Sequence, residues 1–356
     1  MGGRQVGPGR DEPGMTKAQD AMTKPSWPLA LSVAPPPRIT ERQLARMHRV
    51  LSDKAFASID EANAFLQSAQ FKQQLDNSPA PATSFERAQE AAYDAWEMSP
   101  PRRYELARQA LSIDDRCSDA WLILAEQERT WIKQRRHFEK AVAAAERAAQ
   151  EEVWLREAPE PHSLYGHLPA RAFFRAKMAL ARFLMDSSYL RDARVIYQEL
   201  LRRDRDDHMG ARYEVTQIYH AEADYEALGR LLHDYREDTS AFLSYERVWL
   251  GLLHDVDGKT LKNLTRQATR SNPHVPAYLL GAREPSGRED GNIAVGGEDE
   301  AEAYASIALK WWLAAAPRTL DWLVDNVRLP KAGRRSSQTR RTPEEPSPGP
   351  SRRTKH

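Results

Sequence analysis

Four segments of this chain, beginning at Phe174, His208, Phe242 and Pro276, open with similar apolar-periodic patterns and stand one common period apart, which narrows the possible folds sharply. The period is about 34 residues, the length of a helix-turn-helix unit that cannot bury its apolar face alone and so stacks on a copy of itself. The best single unit is AFFRAKMALARFLMDSSYLRDARVIYQELLRRDR. It places Leu180 and Ala181 at the first helix contact, Ala193 at the second, and Tyr197 and Leu200 on the second helix. HMGARYEVTQIYHAEADYEALGRLLHDY and FLSYERVWLGLLHDVDGKTLKNLTRQATRSNP are the next two pairs. One period on from Ser84 comes Ser118, where RCSDAWLILAEQE presents Trp121, Leu124 and Ala125 at the expected contacts. Between Ser118 and Phe174 lies more than one period, so HFEKAVAAAERAAQEEVWLREA reads as an extended second helix followed by a loop, APEPHSLYGH.

The expected fold is therefore all-α, a tetratricopeptide-like helical-repeat solenoid over residues 84–326 with a C-terminal cap. Ahead of it, ERQLARMHRVL and IDEANAFLQSAQF predict a small helical hairpin over 40–75, with capping boxes at Thr40/Gln43 and Ser58/Glu61, and 76–83 is a linker. Residues 1–38, rich in Gly and Pro, and the basic tail 331–356 are too poor in apolar side chains to fold alone and are expected to be disordered. In NPHVPAYLLG, Asn272 suits a cap and Pro273 the first helical position, where a missing N–H costs nothing. Pro276 needs no donor within that first turn, and Tyr278 packs back on the preceding pair, so the segment is a joint rather than a catalytic loop. The cap is built from EDEAEAYASIALKWWLAAAP, with Tyr304, Ile307, Ala308 and Trp311 on one face, and from TLDWLVDN.

Composition excludes several classes. The formal charge is +1, from 52 basic and 51 acidic residues, so no global field steers nucleic acid or an anionic membrane toward the chain. No apolar run reaches the roughly 18 residues that a spanning helix needs, and no membrane association is expected. The one cysteine, Cys117, allows no intrachain disulfide, and the cytoplasm is the expected compartment. Lys24 followed by SWPLALSVA has the order of a signal peptide, but Pro28 interrupts it and Pro35 follows the would-be cleavage site.

Three blocks resemble the suppressor of tumorigenicity seven protein family. They are DDRCSDAWLILAEQE, NPHVPAYLLG, and GEDEAEAYA leading to LKWWLAAAPRTLDWL, in matching order and spacing over about Ser84 to Asn326. The resemblance implies a tetratricopeptide-like helical array, names no reaction, and marks Trp121, Leu124, Ala125, Asn272, Pro273, Pro276, Tyr278, Tyr304 and Trp311 as structural positions. The loop before GEDEAEAYA departs from bacterial relatives in lacking a Pro-Asp-Tyr-Tyr run.

The chain carries no Walker loop, GxGxxG, GxSxG or HExxH, so no enzyme is expected. Cys117 reads as a packing residue, because no His and Asn or Asp partners can be assigned to it. His162 and His167 lack the further ligands a metal needs, HDVDG lacks the calcium-loop pattern, and no metal or cofactor is expected. Trp311, Trp312 and Trp322 read as closing core rather than an aromatic cage. The remaining candidate is the concave face, where the register assigns Arg175, Met178 and Arg182, then Arg212, Thr216 and Tyr219, to first-helix positions that line the groove. Three guanidiniums there predict recognition of an acidic peptide or a protein chain terminus, since each fork donates two hydrogen bonds at once. Ordinary solvated charge is the competing reading. The expected function is a noncatalytic protein-protein interaction scaffold. The alternative is a nucleic-acid-associated protein using the groove arginines and the RRSSQTRR and SRRTKH tail segments.

Overall fold

The computed structural model describes residues 37–51, 54–151, 164–285 and 293–329. Residues 1–36 of the expected disordered N-terminus, the tail 331–356 and the stretch 286–292 lie outside them. All regular structure among the described residues is helical. Three short helices come first, α1 (Pro37–Leu51), α2 (Ile59–Gln67) and α3 (Ala69–Asp76). Five pairs follow: α4 (Ser84–Glu97) with α5 (Arg102–Ile113), α6 (Ser118–Gln127) with α7 (Trp131–Glu151), and α8 (Ala170–Asp186) with α9 (Leu190–Arg203). Then come α10 (Ala211–Ala221) with α11 (Tyr225–Asp234), and α12 (Ala241–Leu253) with α13 (Gly258–Ser271). A one-turn helix, α14 (Val275–Leu279), leads to α15 (Glu298–Ala314) and α16 (Arg318–Asn326). Within each pair the helices pack on one another, and each pair packs on the next in chain order.

Two kinds of joint repeat. Three of the turns inside pairs, together with the end of α14, place a residue in the left-handed region at Ser188, Ala223, Asp255 and Gly281. Each is followed by the long hydrogen bond of a Schellman ending: Tyr189 N–H to Leu184 O, Asp224 to Tyr219, Val256 to Gly251 and Ala282 to Ala277, at 2.8–3.1 Å. Three joints that follow a pair turn on a buried or largely buried Asx side chain. Asp204, Asp238 and Asn272 accept from the backbone N–H of His208, Ser240 and His274, holding the chain at the angle that starts the next pair. These three positions stand one 34-residue period apart.

The apolar interior falls into two clusters. The smaller, between α4, α5 and α6, is mostly alanine, with Ala88, Ala92, Ala107 and Ala110 fully buried. The larger runs from α6 to α16 and contains the bulky side chains Phe174, Tyr197, Leu243, Tyr245 and Trp312. Small residues at the α4–α5 contact let those two helices approach closely, while aromatic volume fills the rest.

Several boundaries differ from expectation. Helix α1 begins at Pro37, so Thr40 lies within it and caps nothing. The second expected helix breaks at Ser68, whose hydroxyl donates to Phe65 O and accepts from Phe71 N–H, ending α2 and starting α3. Ser58 does cap α2, while the Glu61 carboxylate reaches back to Ala57 N–H. A full capping box sits at Thr83 and Glu86. Pro273 is not the first residue of a helix: Asn272 ends α13, His274 caps α14, and Pro276 occupies its second position.

Candidate functional site

The six groove residues do lie on two first helices, Arg175, Met178 and Arg182 on α8 and Arg212, Thr216 and Tyr219 on α10. Their expected exposure is corrected: Arg175, Met178, Thr216 and Tyr219 are buried, and the three guanidiniums are already matched to carboxylates. Arg175 donates from Nε and Nη2 to the two oxygens of Asp119 at 3.0 and 2.6 Å, the planar fork described for arginine, and from Nη1 to Glu41 at 2.6 Å. Both carboxylates are also held from α4, where Gln89 Nε2 donates to Asp119 at 2.6 Å and the Tyr93 hydroxyl to Glu41 at 3.4 Å. One cation thus faces two buried carboxylates. Burial raises the Glu41 pKa above its ordinary value, the Arg175 charge opposing that rise and the Asp119 charge adding to it.

Arg182 donates to Glu214 at 3.0 Å. Arg212 bridges Asp207 at 3.0 Å and Asp238 at 2.7 Å and donates to the Tyr213 hydroxyl, which itself donates to Asp238. The Asp207 carboxyl is pushed up to about 6 by burial, against the pull of its bonds to the Arg212 and Ala211 N–H groups and of the Arg212 guanidinium.

The carboxylate that Arg175 holds belongs to α1. That helix lies against α3 and α4 and inserts Glu41 between α4, α6 and α8. It also makes ion pairs from Arg42 to Glu90 and Asp94 at 2.8 Å and from Arg49 to Glu90 at 3.2 Å, and Arg49 donates to the Pro79 carbonyl at 3.1 Å. From Thr40 on, Val50 is its one buried apolar side chain. The carboxylate that Arg175 meets is therefore the chain's own, the single Glu of a helix that also carries Arg38, Arg42, Arg46 and Arg49.

At the other end, the family-motif residues converge. Asn272, fully buried, donates from Nδ2 to Gly297 O at 2.8 Å and to Glu300 at 3.0 Å, while Tyr245 donates to Asn272 O at 2.7 Å. Glu300 also accepts from Ala241 N–H at 2.9 Å, so α12, α13 and α15 are tied at one point. Pro276, Tyr278 and Tyr304 are buried. Below them runs a chain of bonds: Trp312 Nε1 donates to the Tyr304 hydroxyl at 2.9 Å, that hydroxyl to Glu246 at 3.1 Å, and the same carboxylate accepts from His220 Nε2 at 2.7 Å. Trp311 stacks on the His220 ring at 5.1 Å, and its carbonyl accepts from Trp249 Nε1 at 3.2 Å. Trp322 donates to Thr265 Oγ1 at 2.9 Å. The tryptophans therefore close the core, with Trp312 rather than Trp311 fully buried. Trp121 is half-buried, its indole donating to Asp115 O with Lys140 over its face, while Leu124 and Ala125 are buried as expected.

Cys117 is fully buried against Ala88 O, and burial pushes its thiol up to about 12, which removes the thiolate a nucleophile would need. His162 lies outside the described residues and His167 is exposed. Asp204, Asp206 and His208 stand close together, but Asp204 is engaged by His208 Nδ1 at 2.9 Å. Asp257 in HDVDG caps α13. The buried Asx hinges at one-period spacing, Asp204, Asp238 and Asn272, were readable as a pattern in the sequence, yet only Asn272 drew notice there. Glu41 carried no signal, since its partner lies 134 residues away.

These features define an all-helical protein with an ion-paired clasp at its N-terminal end and a polar-aromatic lock at its C-terminal end. The chain is similar to the suppressor of tumorigenicity 7 protein-like of Bos taurus, with 25% identity over 240 residues. The match covers 61% of this chain and 43% of the relative, so it spans about two fifths of that protein's length, and it agrees with the resemblance carried by the three motifs. No family model and no solved structure matches. Among the described residues, no helix is long and apolar enough to cross a membrane.

Proposed function

We propose that the chain is a noncatalytic, tetratricopeptide-like scaffold that takes an acidic helix from a protein partner on the face shared by its first helices, in the cytoplasm. The supporting observation is the clasp itself: Arg175, fixed by Asp119, already presents a free-fitting Nη1 edge to a helical carboxylate, that of Glu41. Serial pairs and the one-period spacing of Asp204, Asp238 and Asn272 support the repeat architecture. In this reading α1 occupies the face in cis and a partner helix replaces it, its own carboxylate taking over the Arg175 bond that Glu41 gives up.

Arg182 and Arg212 are bound to neighbouring carboxylates and serve to stiffen the face. That also takes the groove arginines from the nucleic-acid alternative, whose remaining support, the basic tail, lies outside the described residues. The test compares the full chain, a chain shortened to begin after Leu51, and the shortened chain carrying Arg175→Glu, as baits with helical content checked. Partners gained on shortening and lost with Arg175→Glu support the reading. Identical recovery by all three folded baits overturns it.

A further inference from the structure

A second surface stands apart from the first-helix face. In the first turn of α7, Trp131 is 36% exposed and Ile132 49%, and in the α8–α9 turn Tyr189, beside Trp131, is 44% exposed. They are not loose. Trp131 stacks on Tyr189 at 5.4 Å and on Phe183 at 5.7 Å, Phe138 packs on Phe183 at 5.0 Å, and Trp131 Nε1 donates to Ser187 Oγ at 2.6 Å. Arg135 lies 5.4 Å from the Trp131 ring centre and 5.3 Å from that of Tyr189, held by Glu139. An open cleft lined by Ser188, Leu190, Arg191 and Glu222 continues from Tyr189. Trp131 and Tyr189 thus form a partly exposed aromatic pair held in fixed geometry, and Trp, Tyr and Arg are the side chains that dominate binding energy at protein interfaces.

The charge around the platform says what covers it. The first ten residues of α7, WIKQRRHFEK, carry four Lys or Arg against one Glu. The Arg129, Lys133, Arg136 and Arg191 side chains are exposed and have no hydrogen bond or ion pair among the described residues, unlike the clasp arginines. Asp186 and Asp192 are the nearby exposed carboxylates without an ion pair among the described residues, Asp192 lining the cleft, while Glu139 is paired with Arg135 and Glu222 with Arg194.

We infer that this platform is a docking site for an acidic peptide segment of a partner protein, with an aromatic or aliphatic anchor seated on Trp131 and Tyr189 and carboxylates on either side meeting Lys133, Arg136 and Arg191. Anchor burial supplies affinity, and the rim cations supply selection and a salt-dependent association rate.

A random peptide library displayed on phage and selected on the immobilised full chain tests this. The expected winners carry Asp or Glu flanking one aromatic or aliphatic residue. A synthetic winner should bind the Lys133→Glu/Arg136→Glu variant about tenfold more weakly, and raised salt should weaken its binding to the wild type. That variant leaves the aromatic stack untouched, so its fold is not at issue; Tyr189→Ser then removes the anchor seat and should weaken binding further. Winners without acidic enrichment, or binding unchanged by the charge reversal, overturn the inference. So does a wild-type chain that selects no peptide but sediments with phosphatidylserine vesicles through Trp131, which would make the platform a lipid contact.

Discussion

Arg175 concentrates the residue-level consequences. Replacing it by Met leaves Glu41 and Asp119 buried without their cation, and breaking a buried pair from one side costs about 3–5 kcal/mol. Urea unfolding near neutral pH should show that loss, whereas Glu41→Gln should cost less, since burial disfavours the charged Glu41 carboxylate and Arg175 keeps its fork on Asp119. The sign follows from linkage: the raised Glu41 pKa means the folded chain binds that proton more tightly than the unfolded one. Its favourable contribution is complete below the unfolded value and is lost as pH rises through the folded value. Relative to wild type, Glu41→Gln should therefore gain stability with rising pH, and a flat difference would contradict the clasp. Asp114 has the opposite sign. Hydrogen bonds from Arg116 and Ser84 hold its carboxyl well below the usual range, so its contribution exists above the unfolded value and disappears as pH falls through the folded one. Asp114→Asn should cost roughly 1.5–3 kcal/mol at neutral pH and approach wild type in strong acid.

Among the elements, α1 is the one held chiefly by charge, and that makes its attachment conditional. Ion pairs exposed at their edges weaken as the screening length shortens, from about 10 Å at 0.1 M salt to about 3 Å at 1 M. Amide exchange in α1 should accordingly accelerate in high salt while exchange in α8 and α12, which add many buried apolar side chains to their ion pairs, changes much less. Equal response in all three would mean that α1 is packed like the rest. The helices themselves were largely readable from the sequence, because apolar periodicity and turn residues are local signals: the starts at Ser84 and Ser118 and the long α7 all follow from them. Thr40 and Pro273 were misplaced because a cap is decided by where the chain turns, which at Asn272 depends on burial against Gly297 and Glu300 of a later element. The groove residues failed for a related reason. Period assigned Arg175 and Arg212 to the right helices, but whether a guanidinium meets solvent or a carboxylate depends on Glu41, Asp119 and Asp238, and no spacing along the chain encodes those meetings.

Across the whole molecule the two apolar clusters differ in kind, and the difference sets how the chain comes apart. The α4–α6 cluster is built on alanine, each side chain contributing little buried area, whereas the cluster from α6 to α16 buries Trp312, Phe174, Tyr197, Tyr245 and Trp249. At about 25 cal/mol per Å² the aromatic cluster carries most of the apolar stabilisation. In a serial array each unit is supported by its neighbours alone, so stability need not be uniform along the chain. The Arg175 clasp spans the division, joining α1, α4 and α6 on one side to α8 on the other. Native-state hydrogen exchange in low denaturant should resolve two units: α1 to α5 opening together at lower free energy, and α8 to α15 opening only with global unfolding. Arg175→Met should widen that gap, lowering protection in α1 to α6 while leaving α12 and α15, locked through Asn272 and Glu300, almost unchanged. A single cooperative transition for all helices, shifted equally by the substitution, would show instead that the clasp transmits its energy through the entire array. In that case α1 would not leave without unfolding its scaffold, and an acidic partner helix would have no face to enter.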